Sequence, residues 1–420
     1  MYKAPRGTYD ILPDQQQEWR YVENIATNLA HNYGYQLLET PIFENTNLFS
    51  RGIGQTTDVV EKEMYSFEDR GGESITLRPE GTAPVCRAYL EHGMHNLPQP
   101  VRMFYLCPIF RYERPQAGRY REHHQFGVEC IGDVDPSIDA EIISMAWNLM
   151  KRLGLKNLSL LLNTIGDSNC RPAYIDELKL YYSEQVNELC GDCKNRLNRN
   201  ALRLLDCKKD NCIKVADNAP QILNHLCAEC LDHWNQLINH LDSLSIPYLI
   251  NHKLVRGFDY YTRTVFEIQP AEEGAQSNIC GGGRYDGLIE QIGGPHTPGI
   301  GFGVGIERLI INLKRQNIHI PLSPPASALV VHIGNQAKLI ALGLSQTLRE
   351  KGIDTILGPS GRSIKAQMRY ANAAKIPFAI IIGEEEIQKN VVVLRDMNAG
   401  AQNEFNIEEA IAAIQQAREI

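Results

Sequence analysis

The sequence predicts a mixed α and β chain in two parts: an α+β region over 1–325, carrying a helical insertion at about 168–247, and an α/β domain over 326–420. Three observations predict it. Strand-like alternation appears between Val101 and Gly132 and resumes at Leu254. Between these, from 168 to about 247, the chain turns polar, cysteine-rich and helical in pattern, with few strand signals. After the Pro-rich break LSPPAS, Leu322–Ser327, apolar runs and amphipathic stretches alternate to the end. That is the pattern of a small α/β domain of roughly 95 residues.

Taken in order, the first helix follows Pro13-Asp14, with Trp19, Val22, Ala26, Leu29 and Tyr33 on one face, and Gly34 stops it. YQLLETPIFEN reads as a strand interrupted by Pro41, as at an edge or a subunit boundary. Val101 to Gly132 reads as two strands flanking the polar loop ERPQAGRYREH. In the last domain SALVVHI is a strand. Ala337, Ile340, Leu344 and Leu348 mark a helix; Ile353–Leu357 follows, then a helix from about Arg362 to Ala374, the runs FAIIIG and NVVVLRD, and a final helix over about 407–418.

The 420 residues, 43% hydrophobic and 22% charged, have ordinary globular composition, and no stretch approaches the ~20 apolar residues of a membrane span. The start, MYKAPRGTYDILPD, lacks an apolar signal core, so the expected compartment is the cytoplasm, with the eleven cysteines as thiols or metal ligands. A net charge of −8 excludes a general nucleic-acid-coating protein. The last domain is neutral, with ten basic and ten acidic residues from Ser327 on. Within it Arg362, Lys365, Arg369 and Lys375 form a basic run with no acid between them.

Several stretches carry chemistry. LVRGFDYYTRTVFE, Leu254–Glu267, sets Arg256 beside a glycine and before Tyr260 and Tyr261. A planar cation suits a carboxylate or phosphate, and paired tyrosines offer hydroxyls and flat apolar faces; the plain alternative is a strand with aromatic packing. GIGFGVGIERL places glycines at 299, 301, 303 and 305, so one strand face has no side chains while Ile300, Phe302, Val304 and Ile306 face the core. A flat ligand can approach such a face, and Arg308 follows where a helix starts. The Arg111, Arg114, Arg119 and Arg121 cluster, with Glu113, suits polyphosphate better than a solvated loop once it is set beside that strand. LRPEGT holds Glu80 in a rigid turn, and CGGGRYDGL reads as a glycine-rich turn leading into Arg284 and Tyr285.

These stretches resemble known motifs. FRYERPQAGRYREHHQFGVE is similar to motif 2 of class II aminoacyl-tRNA synthetases, GIGFGVGIERL to motif 3, and the strand near Pro41 to motif 1. LVRGFDYYTRTVFE and CGGGRYDG are similar to the two signatures of histidyl-tRNA synthetases, and the resemblance runs over essentially the whole chain. It implies an antiparallel sheet flanked by helices, a C-terminal anticodon-binding domain, a homodimer built partly by motif 1, and L-histidine, ATP with Mg2+ and tRNA(His) as partners. It implies that Glu80, Thr82, Gln125, Glu129, Tyr260, Tyr261 and Tyr285 bind histidine. Arg111, Glu113, Arg119, His123 and Arg308 would bind ATP, with Arg111 on the α-phosphate and Arg308 on the γ-phosphate. Arg256 would neutralise charge on the α-phosphate during attack. His123 stands where some family members carry an aromatic ring beside adenine. The alternative is an inactive histidine-binding relative such as a regulatory subunit of ATP phosphoribosyltransferase. HIGN, His332–Asn335, resembles the class I signature by chance, since no KMSKS-like sequence accompanies it.

Six cysteines lie within 41 residues: Cys190, Cys193, Cys207, Cys212, Cys227 and Cys230. The two CxxC pairs have the spacing of a structural zinc site, so Cys190, Cys193, Cys227 and Cys230 are the candidate ligands, with Cys207 and Cys212 as further ones.

Overall fold

The computed structural model describes residues 2–54, 57–271, 278–321, 324 and 326–418. It divides into two compact units, Met1–Ile320 and Pro321–Ile420. Of the Pro-rich segment Leu322–Ser327, residues 322, 323 and 325 lie outside the described residues.

In the first unit α1 (Pro13–Asn32) opens with proline at its first position, where the missing N–H costs nothing. It buries Trp19, Val22, Ala26 and Leu29 on the face read from the sequence. Gly34 follows it at φ +80°. The segment around Pro41 is two strands rather than one. β1 (Gln36–Leu37) joins the large sheet, whereas β2 (Phe43–Asn45) joins a small sheet with β3 (Tyr65–Glu68) and β4 (Ser74–Leu77). Proline between them supplies no ladder donor, so the chain changes sheet there. The short helix α2 (Thr46–Gly52) and then α3 (Thr82–Glu91) complete this region.

The large sheet takes further strands β5 (Val101–Phe110), β6 (Glu122–Ile131), β7 (Leu158–Thr164), β8 (Leu249–Ile250), β9 (Thr262–Pro270), β10 (Cys280–Arg284) and β11 (Gly299–Gly305). Its order is β1-β5-β6-β11-β10-β9-β7-β8, antiparallel except at the two short edge strands. Strand alternation sorts the two faces. Phe126, Val128, Phe266, Ile300, Phe302 and Val304 bury into a core covered by α1, α4 (Pro136–Arg152) and α10 (Ile306–Arg315). The opposite face carries Tyr105, Gln125, Glu129, Gly281 and Gly283 of β10 and the glycines of β11.

CGGGR, read as a turn, is β10, a central strand that is wholly buried between β9 and β11. Glycine weakens an isolated strand, but here a Cβ at Gly281 would overlap the Arg256 guanidinium and one at Gly282 the backbone of β11. Tertiary packing therefore overrides propensity. The region from 168 to 247 is helical: α5 (Arg171–Glu184), α6 (Gly191–Arg199), α7 (Asp210–Ala216) and α8 (Ala228–Ser243), with short 3-10 turns between. α9 (Leu288–Gln291) precedes β11.

The second unit has β12 (Ala328–His332), α11 (Asn335–Glu350), β13 (Thr355–Leu357), α12 (Ile364–Ala373), β14 (Phe378–Ile382), α13 (Glu384–Lys389), β15 (Val392–Asp396), β16 (Gln402–Phe405) and α14 (Ile407–Arg418). The sheet order is β13-β12-β14-β15-β16, parallel over the first three strands and antiparallel beyond. His332 is buried at the end of β12 with Nε2 3.1 Å from the Gly358 carbonyl, so the HIGN segment serves the fold of this unit.

Candidate active site

On the glycine face of the large sheet a cavity of about 210 Å³ is lined by Arg111, Glu113, Arg119, His123, Gln125, Arg256 and Arg308, with Gly281, Gly303 and Gly305 as its floor. Each principal arginine is fixed by a different element. Arg111 follows β5; its Nε donates to the Pro79 carbonyl at 2.7 Å, and its guanidinium lies over the Phe258 ring. Arg308 stands in the first turn of α10, with Nε 3.1 Å from the Gly118 carbonyl and a second bond to the Asn278 carbonyl. Arg256 pairs with Glu267 on β9 and lies 5.7 Å from the centre of the Tyr261 ring. Burial opposes the Arg256 cation, but Glu267 and Tyr261 outweigh it and raise its pKa. Burial, and Arg119 nearby, lower that of Arg308. His123 is pushed down to about 3, by burial first and then by Arg111 and Arg308. It is a neutral flat ring at physiological pH, suited to stacking.

Next to this cavity lies a drier cluster. Glu129 on β6 is 1% exposed. It accepts hydrogen bonds from Tyr285 Oη at 2.6 Å, Thr82 Oγ1 at 2.7 Å and Tyr105 Oη at 3.3 Å. Burial pushes its carboxyl up to about 8, against the lowering effect of those bonds. Glu80 is buried too, and its two oxygens accept the backbone N–H groups of Thr82 and Ala83 at 2.6 and 2.7 Å, capping α3. Burial raises its pKa as well. Tyr260 packs against Tyr261 at 4.7 Å between ring centres, tilted by 46°, and meets Tyr285 edge-on at 5.9 Å.

The sequence-derived histidine and ATP residues thus gather on one face of one sheet. The glycine strand, however, is not a bare face. A Cβ at Gly301 would overlap the Glu129 carboxylate, one at Gly303 the Gln125 amide, and one at Gly299 the Tyr285 ring. The glycines of β11 make room for side chains of neighbouring segments, and only towards Gly303 and Gly305 does the strand face the cavity. Sequence reasoning also missed three supports. Glu267, which holds Arg256, stood unremarked in the same stretch. Tyr105 fills the space left by Gly81 and Gly127. Arg284 is fully buried in an ion pair with Asp139, which also accepts from Thr264 at 2.6 Å and so ties α4 to β9 and β10. Nothing local signals either the Tyr105 packing or the Arg284–Asp139 pair, whose partners are far apart in sequence.

The cysteines regroup. Cys190 and Cys193 converge with Cys207 and Cys212, whereas Cys227 and Cys230 converge with Asp167 and Cys170. The expected quartet of two CxxC pairs does not form, because α6 and α8 carry them to different places.

An antiparallel sheet with arginines gathered over its glycine strand is the catalytic architecture of the class II aminoacyl-tRNA synthetases. Residues 7–309 match the family model described as histidyl-tRNA synthetase, and residues 327–417 match an anticodon binding domain. The chain belongs to the histidyl-tRNA synthetase family. It is 54% identical over 414 residues to a histidine–tRNA ligase of Dehalococcoides mccartyi, covering 99% of each chain. It is 49% identical over 410 residues to that of Desulforamulus reducens, covering 98% of each. Among solved structures, apo S. aureus histidyl-tRNA synthetase superposes with a TM-score of 0.83 at 38% identity, over 99% of this chain and all of that one. A Bacillus halodurans protein described as an ATP phosphoribosyltransferase regulatory subunit/histidyl-tRNA synthetase shares the fold, with a TM-score of 0.66 at 23% identity, over 91% of this chain and 98% of that one. Among the described residues no helix is long and apolar enough to cross a membrane.

Proposed function

We propose that this chain is a histidine–tRNA ligase that works at the sheet face described above. In the first step the histidine carboxylate attacks the α-phosphorus of ATP, pyrophosphate leaves and histidyl-adenylate forms. In the second the 3′-hydroxyl of tRNA(His) attacks the activated carbonyl and AMP leaves. The observation that carries this reading is the register of β6 on β11. It sets Gln125 opposite Gly305 at the arginine cavity and Glu129 opposite Gly301 at the tyrosine cluster, four residues apart on one strand face. On this reading the cavity end takes the phosphates and the tyrosine end the amino acid, in line along one strand, and for this chemistry positioning and charge neutralisation supply most of the rate.

Arg111 and Arg256 are assigned to the α-phosphate, Arg308 to the γ-phosphate, Arg119 to the rest of the triphosphate, Glu113 to ATP through its Mg2+, and His123 to adenine. Glu80, Thr82, Gln125, Glu129, Tyr260, Tyr261 and Tyr285 are assigned to histidine. Glu113 is assigned to the Mg2+ that accompanies ATP because it is the carboxylate lining the cavity; its Oε2 pairs with Arg119 Nε at 3.4 Å, a contact that the ion would replace. That ion supplies charge neutralisation on the leaving pyrophosphate. In the C-terminal unit the exposed Arg362, Lys365 and Arg369 on and before α12, with Lys375 beyond it, are assigned to the tRNA backbone. A homodimer and a cytoplasmic place of work belong to the same proposal.

The regulatory-subunit alternative is disfavoured by the presence of Arg111, Arg256 and Arg308 around one cavity and by the anticodon-binding domain. Charging of bulk tRNA with each of several labelled amino acids tests the reading, and only histidine should be attached. Histidine-dependent ATP–pyrophosphate exchange without charged tRNA would point to a different acceptor. Histidine binding without exchange would point to the regulatory paralogue.

A further inference from the structure

Eight side chains outside the catalytic site form two compact quartets. The Sγ atoms of Cys190, Cys193, Cys207 and Cys212 all lie within 4.8 Å of one another, and Cys190 to Cys207 is 3.9 Å. A disulfide needs about 2.05 Å. A tetrahedral ion with Zn–S bonds of about 2.3 Å holds its sulfurs about 3.8 Å apart, close to the Cys190–Cys207 distance and inside the 4.8 Å bound on the others. In the second quartet a carboxylate oxygen of Asp167 and the sulfurs of Cys170, Cys227 and Cys230 likewise lie within 4.8 Å of one another. Cys170 and Cys227 stand 3.6 and 4.0 Å from Asp167 Oδ1. Mixed bonds of about 2.3 Å to sulfur and about 2.1 Å to oxygen give an edge of about 3.6 Å.

Both quartets are built alike. Each CxxC pair begins a helix, with Cys190 capping α6 and Cys227 capping α8, and the second cysteine of each pair is the third residue of that helix. Cys170 caps α5. A helix N-terminus favours thiolate charge and presents N–H groups to sulfur. Backbone N–H groups reach sulfur at Cys212 (from Cys190, 3.3 Å) and at Cys170 (from Asp167, 3.4 Å). While Oδ1 of Asp167 faces the sulfurs, its Oδ2 lies 3.4 Å from Arg263, the outer support that fixes a metal-binding carboxylate.

We propose that the helical insertion binds two structural zinc ions, one as a tetrathiolate of Cys190, Cys193, Cys207 and Cys212 and one on Asp167, Cys170, Cys227 and Cys230. The first ion braces α6 and α7 within the insertion. The second closes its root, joining the segment after β7 to the start of α8 across 60 residues of chain. A link over so long a loop restricts the unfolded chain strongly. This second ion also stands behind the histidine pocket. Arg171, next to Cys170, donates to the carbonyls of Ile165, Gly166 and Tyr261 at 2.9, 2.9 and 2.6 Å, and Arg263 follows Tyr261 by two residues.

The test is metal analysis of the full chain purified anaerobically under reducing conditions. About two zinc ions per chain are expected, about one each in Cys193→Ser and Cys230→Ser, and loss of the second ion alone in Asp167→Asn. Because a variant can fail to fold, the wild-type chain is also refolded with Co2+. It should then show sulfur-to-cobalt charge transfer and the visible bands of tetrahedral cobalt. Retention of both ions in Cys230→Ser would overturn the second site, and retention in Cys193→Ser the first. No zinc and no tetrahedral cobalt spectrum after reconstitution would overturn both, as would a thiol count below eleven without metal, which would mean disulfides instead.

Discussion

Around Arg111, Arg256 and Arg308 the charge is permanent, and each guanidinium is held by a carbonyl or carboxylate from another segment. Around Glu129 the charge is titratable: the carboxyl is buried among three hydroxyl donors, and burial pushes its pKa up to about 8. The two ends of one sheet face thus use opposite electrostatic strategies. Triphosphate is anionic at every working pH, so a fixed cation loses nothing by never titrating. On the proposed assignment the Glu129 end receives the amino acid and must accept one cationic ligand and refuse others. A carboxyl raised to about 8 by burial is largely protonated near neutral pH, and a matching cation bound beside it would favour its ionised form.

The fixed-charge end should be the more sensitive to loss of a single group. Arg256→His should leave histidine binding intact and slow histidine-dependent ATP–pyrophosphate exchange by about 100-fold or more, the typical cost of one preorganised charge-stabilising group. Equilibrium dialysis with labelled histidine beside the exchange assay checks both halves. Near-normal exchange would break the assignment.

At the titratable end, Glu129→Gln should raise KM for histidine by about 10- to 100-fold, the range for losing a hydrogen bond to a charged group. Its pH behaviour is the sharper sign. Glu129 goes from an ordinary value near 4.5 to about 8 in the folded chain, so its contribution to stability is present below 4.5 and is lost as pH rises through 8. Denaturant unfolding followed from about pH 5 to about pH 9 should show Glu129→Gln gaining on the parent as pH rises. Calorimetry in buffers of different ionisation enthalpy should show proton release on histidine binding near neutral pH in the parent and less in the variant. Equal release would place the titrating group elsewhere.

The same contrast governs what was legible in the sequence. Arg111, Arg308 and Arg256 were readable because each sits in a local pattern: a polar hairpin loop, the end of an alternating glycine strand, a Gly-flanked turn. The surroundings of Glu129 were not readable from the residues themselves. Its partners Thr82 and Tyr285 lie 47 and 156 residues away, and only folding brings them together. The resemblance to a known family named those residues but not their mutual bonds. The cysteines fail in the same way. Local spacing finds a CxxC pair at a helix start, whereas the other half of each quartet is set by tertiary placement. The CGGGR segment was misread because glycine's low strand propensity is a local signal, and its reason for being there, the guanidinium of Arg256, is not.

The smallest expected effect tests the reinterpreted glycine strand. If the glycines of β11 make room for side chains from neighbouring segments, their tolerance to alanine should follow what a Cβ would meet and not their position in the motif. At Gly301 it meets the Val128 carbonyl as well as Glu129, so backbone must move, and overpacking of this kind costs about 1–3 kcal/mol. At Gly303 the obstacle is the flexible end of Gln125, which can swing towards the cavity; stability should hold while histidine activation falls a few-fold. At Gly305 the nearest atom is Arg308 Cγ at 3.5 Å, ordinary contact, and the backbone is extended at φ −75°. Gly305→Ala should therefore change stability and exchange by less than about two-fold. Thermal unfolding and pyrophosphate exchange on the three variants decide it. A uniform loss across all three would restore the view that the bare backbone itself, approached by a flat ligand, is what the alternating glycines provide.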